Sequence, residues 1–145
     1  SELLLFIRNK RCYMSKALAE CILKLKENSS KENKTEFVSR LISDKFFVPV
    51  IVEADEKTHN ITSMGYYSMH GENGSFLLVF TSVEAIGAWR KDVQFLELNF
   101  KDVCSIVDIT GADYAGILID NGGNSMALKK DFLDKVKEHI KTKNN

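Results

Sequence analysis

Leu18, Cys21, Ile22 and Leu25 recur at the i, i+3, i+4 and i+7 positions of one helical face, with Lys16, Glu20 and Lys24 between them. The spacing predicts a helix of about three turns. It fades into Glu27–Lys34, a stretch with no apolar residue, which reads as a flexible connection from which the helix docks loosely. Helical periodicity begins only after Met14, so residues 1–13 read as an extension with little part in the fold. A second helix is signalled by Asn33 and Glu36 at capping-box spacing and by Phe37, Val38, Leu41 and Ile42 on one face. Ser43-Asp44 ends it.

The pattern then changes to strands. Phe46–Val52 is almost continuously apolar but carries Pro49, the only proline, and proline cannot donate a ladder hydrogen bond. That strand is expected at a sheet edge, or to begin in earnest after Pro49. Ala54–Asn60 is a polar loop, and Thr62–His70 has the aromatic and β-branched character of one strand. Asn73-Gly74 separates it from Phe76–Phe80, which predicts an antiparallel hairpin with a type I′ turn. Phe76–Phe80 is apolar on both faces and is expected in the middle of the sheet.

A short amphipathic segment, Thr81–Arg90, follows. Thr81 and Glu84 have capping-box spacing, and Val83, Ile86 and Trp89 are expected to anchor its turns on the sheet. Val93–Leu98 reads as a strand, Asn99 as the cap of a helix over Phe100–Asp108, and Tyr114–Ile119 as a further strand. Asn121-Gly122-Gly123-Asn124 turns it into Ser125–Leu128, and a last helix points Phe132, Leu133, Val136, His139 and Ile140 inward. Together these elements predict an α+β fold, with helices packed on a mixed, mostly antiparallel sheet of about five or six strands.

At 145 residues with 44% apolar content there is material for one core. The division expected is an N-terminal extension, first helix and linker over residues 1–34, then one domain over residues 35–145. Lysine plus arginine equals aspartate plus glutamate at 20 each, so no net field draws nucleic acid or an anionic membrane. The small cluster Arg8, Lys10, Arg11 and Lys16 belongs to no nucleic-acid-binding module, and no nucleic-acid partner is expected.

The apolar run Leu3–Ile7 is cut off by Arg8-Asn9-Lys10-Arg11, too early for a membrane helix or a secretory leader, so a cytoplasmic, membrane-free protein is expected. Three widely spaced cysteines, Cys12, Cys21 and Cys104, suit a reducing compartment rather than a disulfide framework.

Candidate chemistry is sparse. Cys104 shares a helical face with Phe100, Val103 and Val107, which makes it a buried, inert thiol, and Cys21 is read the same way. His59, His70 and His139 have no metal-ligand spacing, and neither dinucleotide nor P-loop glycine motifs occur, so no metal and no cofactor are expected. Gly122-Gly123 reads as a hairpin turn. Asp108, Asp113 and Asp120 flank the Tyr114–Ile119 strand and could converge with Glu53 or Glu97, although strand-end carboxylates are commonly solvated. Amphipathic side chains remain: Tyr66, Tyr67, Met69 and His70 near the hairpin, and Trp89 beyond it, form the candidate interaction surface.

Val48-Pro49-Val50, then Leu78-Val79-Phe80-Thr81-Ser82 with Glu84 and Trp89, then Gly116-Ile117-Leu118-Ile119 leading to Asn121-Gly122-Gly123, resemble in order and spacing the N-terminal domain of the SseB (enhanced serine sensitivity) family. The resemblance runs from about Thr35 to the final helix. It departs from the family pattern at Asp120-Asn121-Gly122-Gly123, which lacks the proline of an N-P-G-like turn. It implies a small cytoplasmic bacterial protein and supplies no catalytic residues. The leading expectation is a non-catalytic binding or regulatory module with a protein partner. The alternatives are a small-molecule-binding or hydrolase-like enzyme with a carboxylate-lined pocket near Asp113, Asp120 and His70, and a self-associating scaffold.

Overall fold

The computed structural model describes residues 18–109 and 113–144, with side chains up to residue 141. Cys12, the basic cluster of residues 8–16 and the extension over residues 1–13 lie outside the described residues.

Residues 18–27 form helix α1 and are followed, after only residues 28–30, by α2 (Lys31–Ser43). The connection is therefore three residues long rather than eight. The reason is the cap: Ser30, not Asn33, accepts the N-terminal hydrogen bond, from the Asn33 amide at 3.2 Å. Asn33 has a different task. Its side-chain amide donates to the carbonyls of Asn28 (2.8 Å) and Lys24 (3.3 Å), satisfying the end of α1. Nor does α1 dock loosely, since Leu18, Cys21 and Ile22 are buried in the main core with Phe37 and Leu41 of α2.

Among the described residues seven strands form two sheets. The first has the order β2-β1-β5, with β1 (Phe46–Ala54) between β2 (Ile61–Tyr66) and β5 (Gln94–Leu98), all antiparallel. The second has the order β3-β4-β6-β7, with β3 (Ser68–Gly71), β4 (Gly74–Val79), β6 (Tyr114–Ile119) and β7 (Met126–Lys129). Its β4–β6 pair is parallel and the others antiparallel. The α+β class and the mixed, mostly antiparallel character are as expected. The extra strand arises because Thr62–His70 breaks at Tyr67, where the chain crosses from one sheet to the other.

Pro49 is in the middle strand of the first sheet, not at an edge. Phe47 exchanges both main-chain bonds with Phe80 at 2.8 Å, so strand alternation points the Pro49 nitrogen to the same side, away from β5. On that side β2 begins to pair only at Val50 opposite Tyr66. The proline occupies the point where the neighbour of β1 changes from β4 to β2, and no ladder bond is lost.

The β3–β4 hairpin forms, with Gly71 opposite Gly74, but its turn residues are Glu72 and Asn73. Only Gly74 takes a positive φ (+117°), so the type I′ turn is not made.

Strand alternation separates two cores. Phe46, Val48, Leu77, Val79, Ile117 and Ile119 face α1, α2, α4 (Phe100–Val107) and α5 (Lys130–Asn144). Leu78 and Phe80 face the other way, toward Ile86 of α3 (Val83–Trp89), with Phe47, Tyr67, Trp89 and Leu118 around them. Asn99 caps α4 as expected, its side-chain oxygen accepting from the Asp102 amide at 2.8 Å. In α5, Leu133 and Val136 are buried, whereas His139 is exposed and not inward. Val83 likewise stays 47% exposed and anchors nothing, because the seven-residue α3 lies on the sheet through Ile86, with Ala85 and Trp89 beside it. No helix among the described residues is long and apolar enough to cross a membrane.

Candidate functional site

The β4–α3 junction sets a buried polar pair beside an aromatic cluster. The cap of α3 is Ser82, whose hydroxyl accepts from the Ala85 amide at 3.1 Å, one residue later than the Thr81-Glu84 spacing suggests. Thr81 is drawn away by a partner 39 positions along the chain. Its amide donates to Asp120 Oδ1 at 2.8 Å and its hydroxyl to Asp120 Oδ2 at 2.7 Å. Asp120 is buried, and desolvation pushes its carboxyl above the usual carboxylate range against the pull of the two Thr81 bonds. It adopts a left-handed backbone (φ 55°), and its amide donates to the Val79 carbonyl at 2.9 Å. The pair fastens the end of β4 to the end of β6.

Next to this fastening, Trp89 meets Tyr67 edge-on with ring centroids 5.1 Å apart and lies against Phe80 at 5.2 Å. Arg90, at the C-cap of α3, holds its guanidinium 4.9 Å from the Trp89 ring centroid and 5.4 Å from that of Tyr67. Phe80 is wholly buried, while Tyr67 and Trp89 are half-buried and Arg90 is exposed, so the group is a supported aromatic surface.

The five residues singled out from the sequence are divided by the sheet. Met69, 42% exposed and opposite Phe76, shares the α3 side with Tyr67 and Trp89. Tyr66 packs instead against the main core. His70 alternates to the face away from Met69, with Nδ1 2.6 Å from the Ser75 hydroxyl. Arg90 was not among them; its signal was adjacency to Trp89, but only the extended backbone at the cap (φ −151°) brings it over both rings.

The carboxylates do not converge. Asp113 precedes β6 and Asp120 follows it, so about 20 Å of strand separates them. His70 is opposite Ser75, which pairs with Tyr114, and therefore belongs to the Asp113 end. Glu53 is near the far end of β1, where it accepts from the Ser63 hydroxyl. Among the described residues no shared pocket near Asp113, Asp120 and His70 is formed.

Asp108 is occupied by Lys137 at 2.7 Å and Lys130 at 3.6 Å, and the Lys137 hydrogen bond holds its carboxyl below the usual range. A depressed folded pKa contributes stability above the unfolded value and loses it as pH falls through the folded one. Asp108→Asn is therefore expected to cost under about 1 kcal/mol at neutral pH, given the exposure of the pair, and nothing in strong acid. Urea midpoints of the two proteins that stay parallel across this acid limb would contradict the assignment.

Burial pushes the Cys104 thiol up to about 12 and raises Cys21 as well, so both are inert at neutral pH. Among the described residues no group of three or more histidine, cysteine or acidic side chains could hold a metal ion. Gly122 (φ +91°) and Gly123, whose amide donates to the Asp120 carbonyl at 3.0 Å, make the turn into β7.

The family described as SseB protein N-terminal domain matches residues 18–135, from the start of the described α1 into α5. No curated protein and no solved structure matches the chain.

Proposed function

Because the chain belongs to the SseB family, and the motifs that mark the family lie in its strands and turns, we propose that it is a non-catalytic protein-binding or regulatory module of the bacterial cytoplasm. It acts through the surface formed by Tyr67, Trp89 and Arg90, with Met69 beside them. The observation that carries this reading is the Arg90 guanidinium held over two half-exposed rings. Tryptophan, tyrosine and arginine are the residues in which binding hot spots are enriched. Their mutual stacking on buried Phe80 fixes the rotamers in advance, which lowers the entropy lost on association.

Arg90→Glu is the cleanest test, because Arg90 is exposed and its loss leaves the core untouched. Wild-type protein is expected to recover a specific partner from host extract, and Arg90→Glu to weaken that complex by about tenfold or more when affinity is measured with the purified partner. Trp89→Ala and Tyr67→Ala should do the same, with circular dichroism confirming the fold. Equal recovery of every partner by all four proteins would remove this surface from consideration.

A further inference from the structure

On the opposite side of the sheets from Trp89, α2 and α5 line an open groove of about 450 Å³. Val38 and Ile42 of α2 and Phe132 and Val136 of α5 form its apolar lining. Each wall presents its apolar pair at i and i+4, and the polar lining extends each wall to about two turns, or about 12 Å. Val38, Ile42 and Phe132 remain half-exposed although they pack against the main core. The groove thus has the length and the seam of a site that takes one further helix through side chains at i, i+3 or i+4, and i+7.

The rim settles the charge of that helix. Lys34 stands on the α2 side and Lys135 on the α5 side, with His139 one turn further on, and none of the described lining residues is acidic. Among the described residues neither lysine takes part in an ion pair. Two unpaired cations flanking an apolar floor complement carboxylates that flank an apolar stripe, and they repel a basic helix. We propose that the α2–α5 groove is a docking site for an acidic amphipathic helix of a partner protein. The site is independent of the Trp89 surface, since the sheets and main core lie between them, and both can be occupied together.

The test uses the full chain and two synthetic helices of about five turns. Both carry leucines at i, i+3 and i+7; one has flanking glutamates and the other lysines at the same positions. Fluorescence anisotropy is expected to show saturable binding of the acidic probe and at least about tenfold weaker binding of the basic one. Lys34→Glu with Lys135→Glu should reverse that order. Ser39→Trp, an exposed lining position at which an indole fills the groove, should weaken the acidic probe by about tenfold without lowering Tm. Amide chemical shifts should move on α2 and α5 and should move equally in Arg90→Glu.

Absence of saturable binding, equal binding of the two probes, indifference to Ser39→Trp, or shifts confined to the Trp89 side would each overturn the proposal. A solution dimer that Ser39→Trp dissociates would also overturn it and give the groove to a second copy of the chain.

Discussion

Gly116→Ala is expected to destabilise the protein by about 3 kcal/mol or more, a large share of the stability of a domain of this size. A Cβ built at Gly116 would come within 2.0 Å of the Leu128 carbonyl oxygen and 2.9 Å of both the Leu128 carbonyl carbon and the Lys129 Cα. All three are main-chain atoms of β7, so no side-chain rotation relieves the overlap. The strand itself has to move. Gly116 pairs with Lys129, the last residue of β7 before α5 begins at Lys130, so a displaced β7 pulls Leu128, Leu133 and Val136 out of the main core.

The contrast that isolates this cause is Gly65→Ala in β2. There a Cβ has nothing within 4 Å, and neither glycine has a positive φ. Gly65→Ala is expected to be neutral or to stabilise by up to about 1 kcal/mol through the entropy of the unfolded chain. Urea denaturation of the two variants side by side checks both. A Gly116→Ala midpoint within about 1 kcal/mol of wild type would mean that β6 and β7 can separate without loss.

Where the information was local, the sequence was legible. Asn99 and Asp102 are three residues apart, and the cap they predict is the cap that forms; the apolar faces of α1, α2 and α4 are the faces that are buried. The pattern was silent where a choice depended on partners far along the chain. Tyr67 is flanked by strand-like residues on both sides, and only its position between two sheets breaks the run into β2 and β3. Pro49 looked like an edge residue because nothing local reveals that the neighbour of β1 changes there.

The same limit applied to the site. Trp89 and Tyr67 were identifiable as amphipathic aromatics, but their meeting and the placement of Arg90 over both rings depend on packing across 22 residues of chain. Thr81 shows the cost of reading locally: its spacing to Glu84 is that of a capping box, yet its hydroxyl serves Asp120, and the cap falls to the neighbouring Ser82.

Asp120→Ala is expected to cost about 3–5 kcal/mol, the sum of two buried donors on Thr81 left without an acceptor and a left-handed backbone that alanine adopts poorly. Asp120→Asn separates the charge from the geometry. Asparagine tolerates the left-handed region, its oxygen can accept from the Thr81 amide, and its NH2 can donate to the Thr81 hydroxyl, so its stability should be within about 1 kcal/mol of wild type in acid. The difference between the two proteins should then change with pH in one direction.

Because burial raises the folded pKa of Asp120 above the ordinary carboxylate range, this group contributes stability that is complete below the unfolded value and lost as pH rises through the folded one. Asparagine has no such loss, so Asp120→Asn should gain on wild type as pH rises above the ordinary carboxylate range, while all other titrations cancel in the subtraction. The opposite slope, with wild type gaining as pH rises, would mean that the two Thr81 hydrogen bonds outweigh desolvation and that the carboxylate is held ionised. Asp120 would then be a charge-assisted clamp at the β4–α3 junction instead of a buried acid tolerated for its geometry.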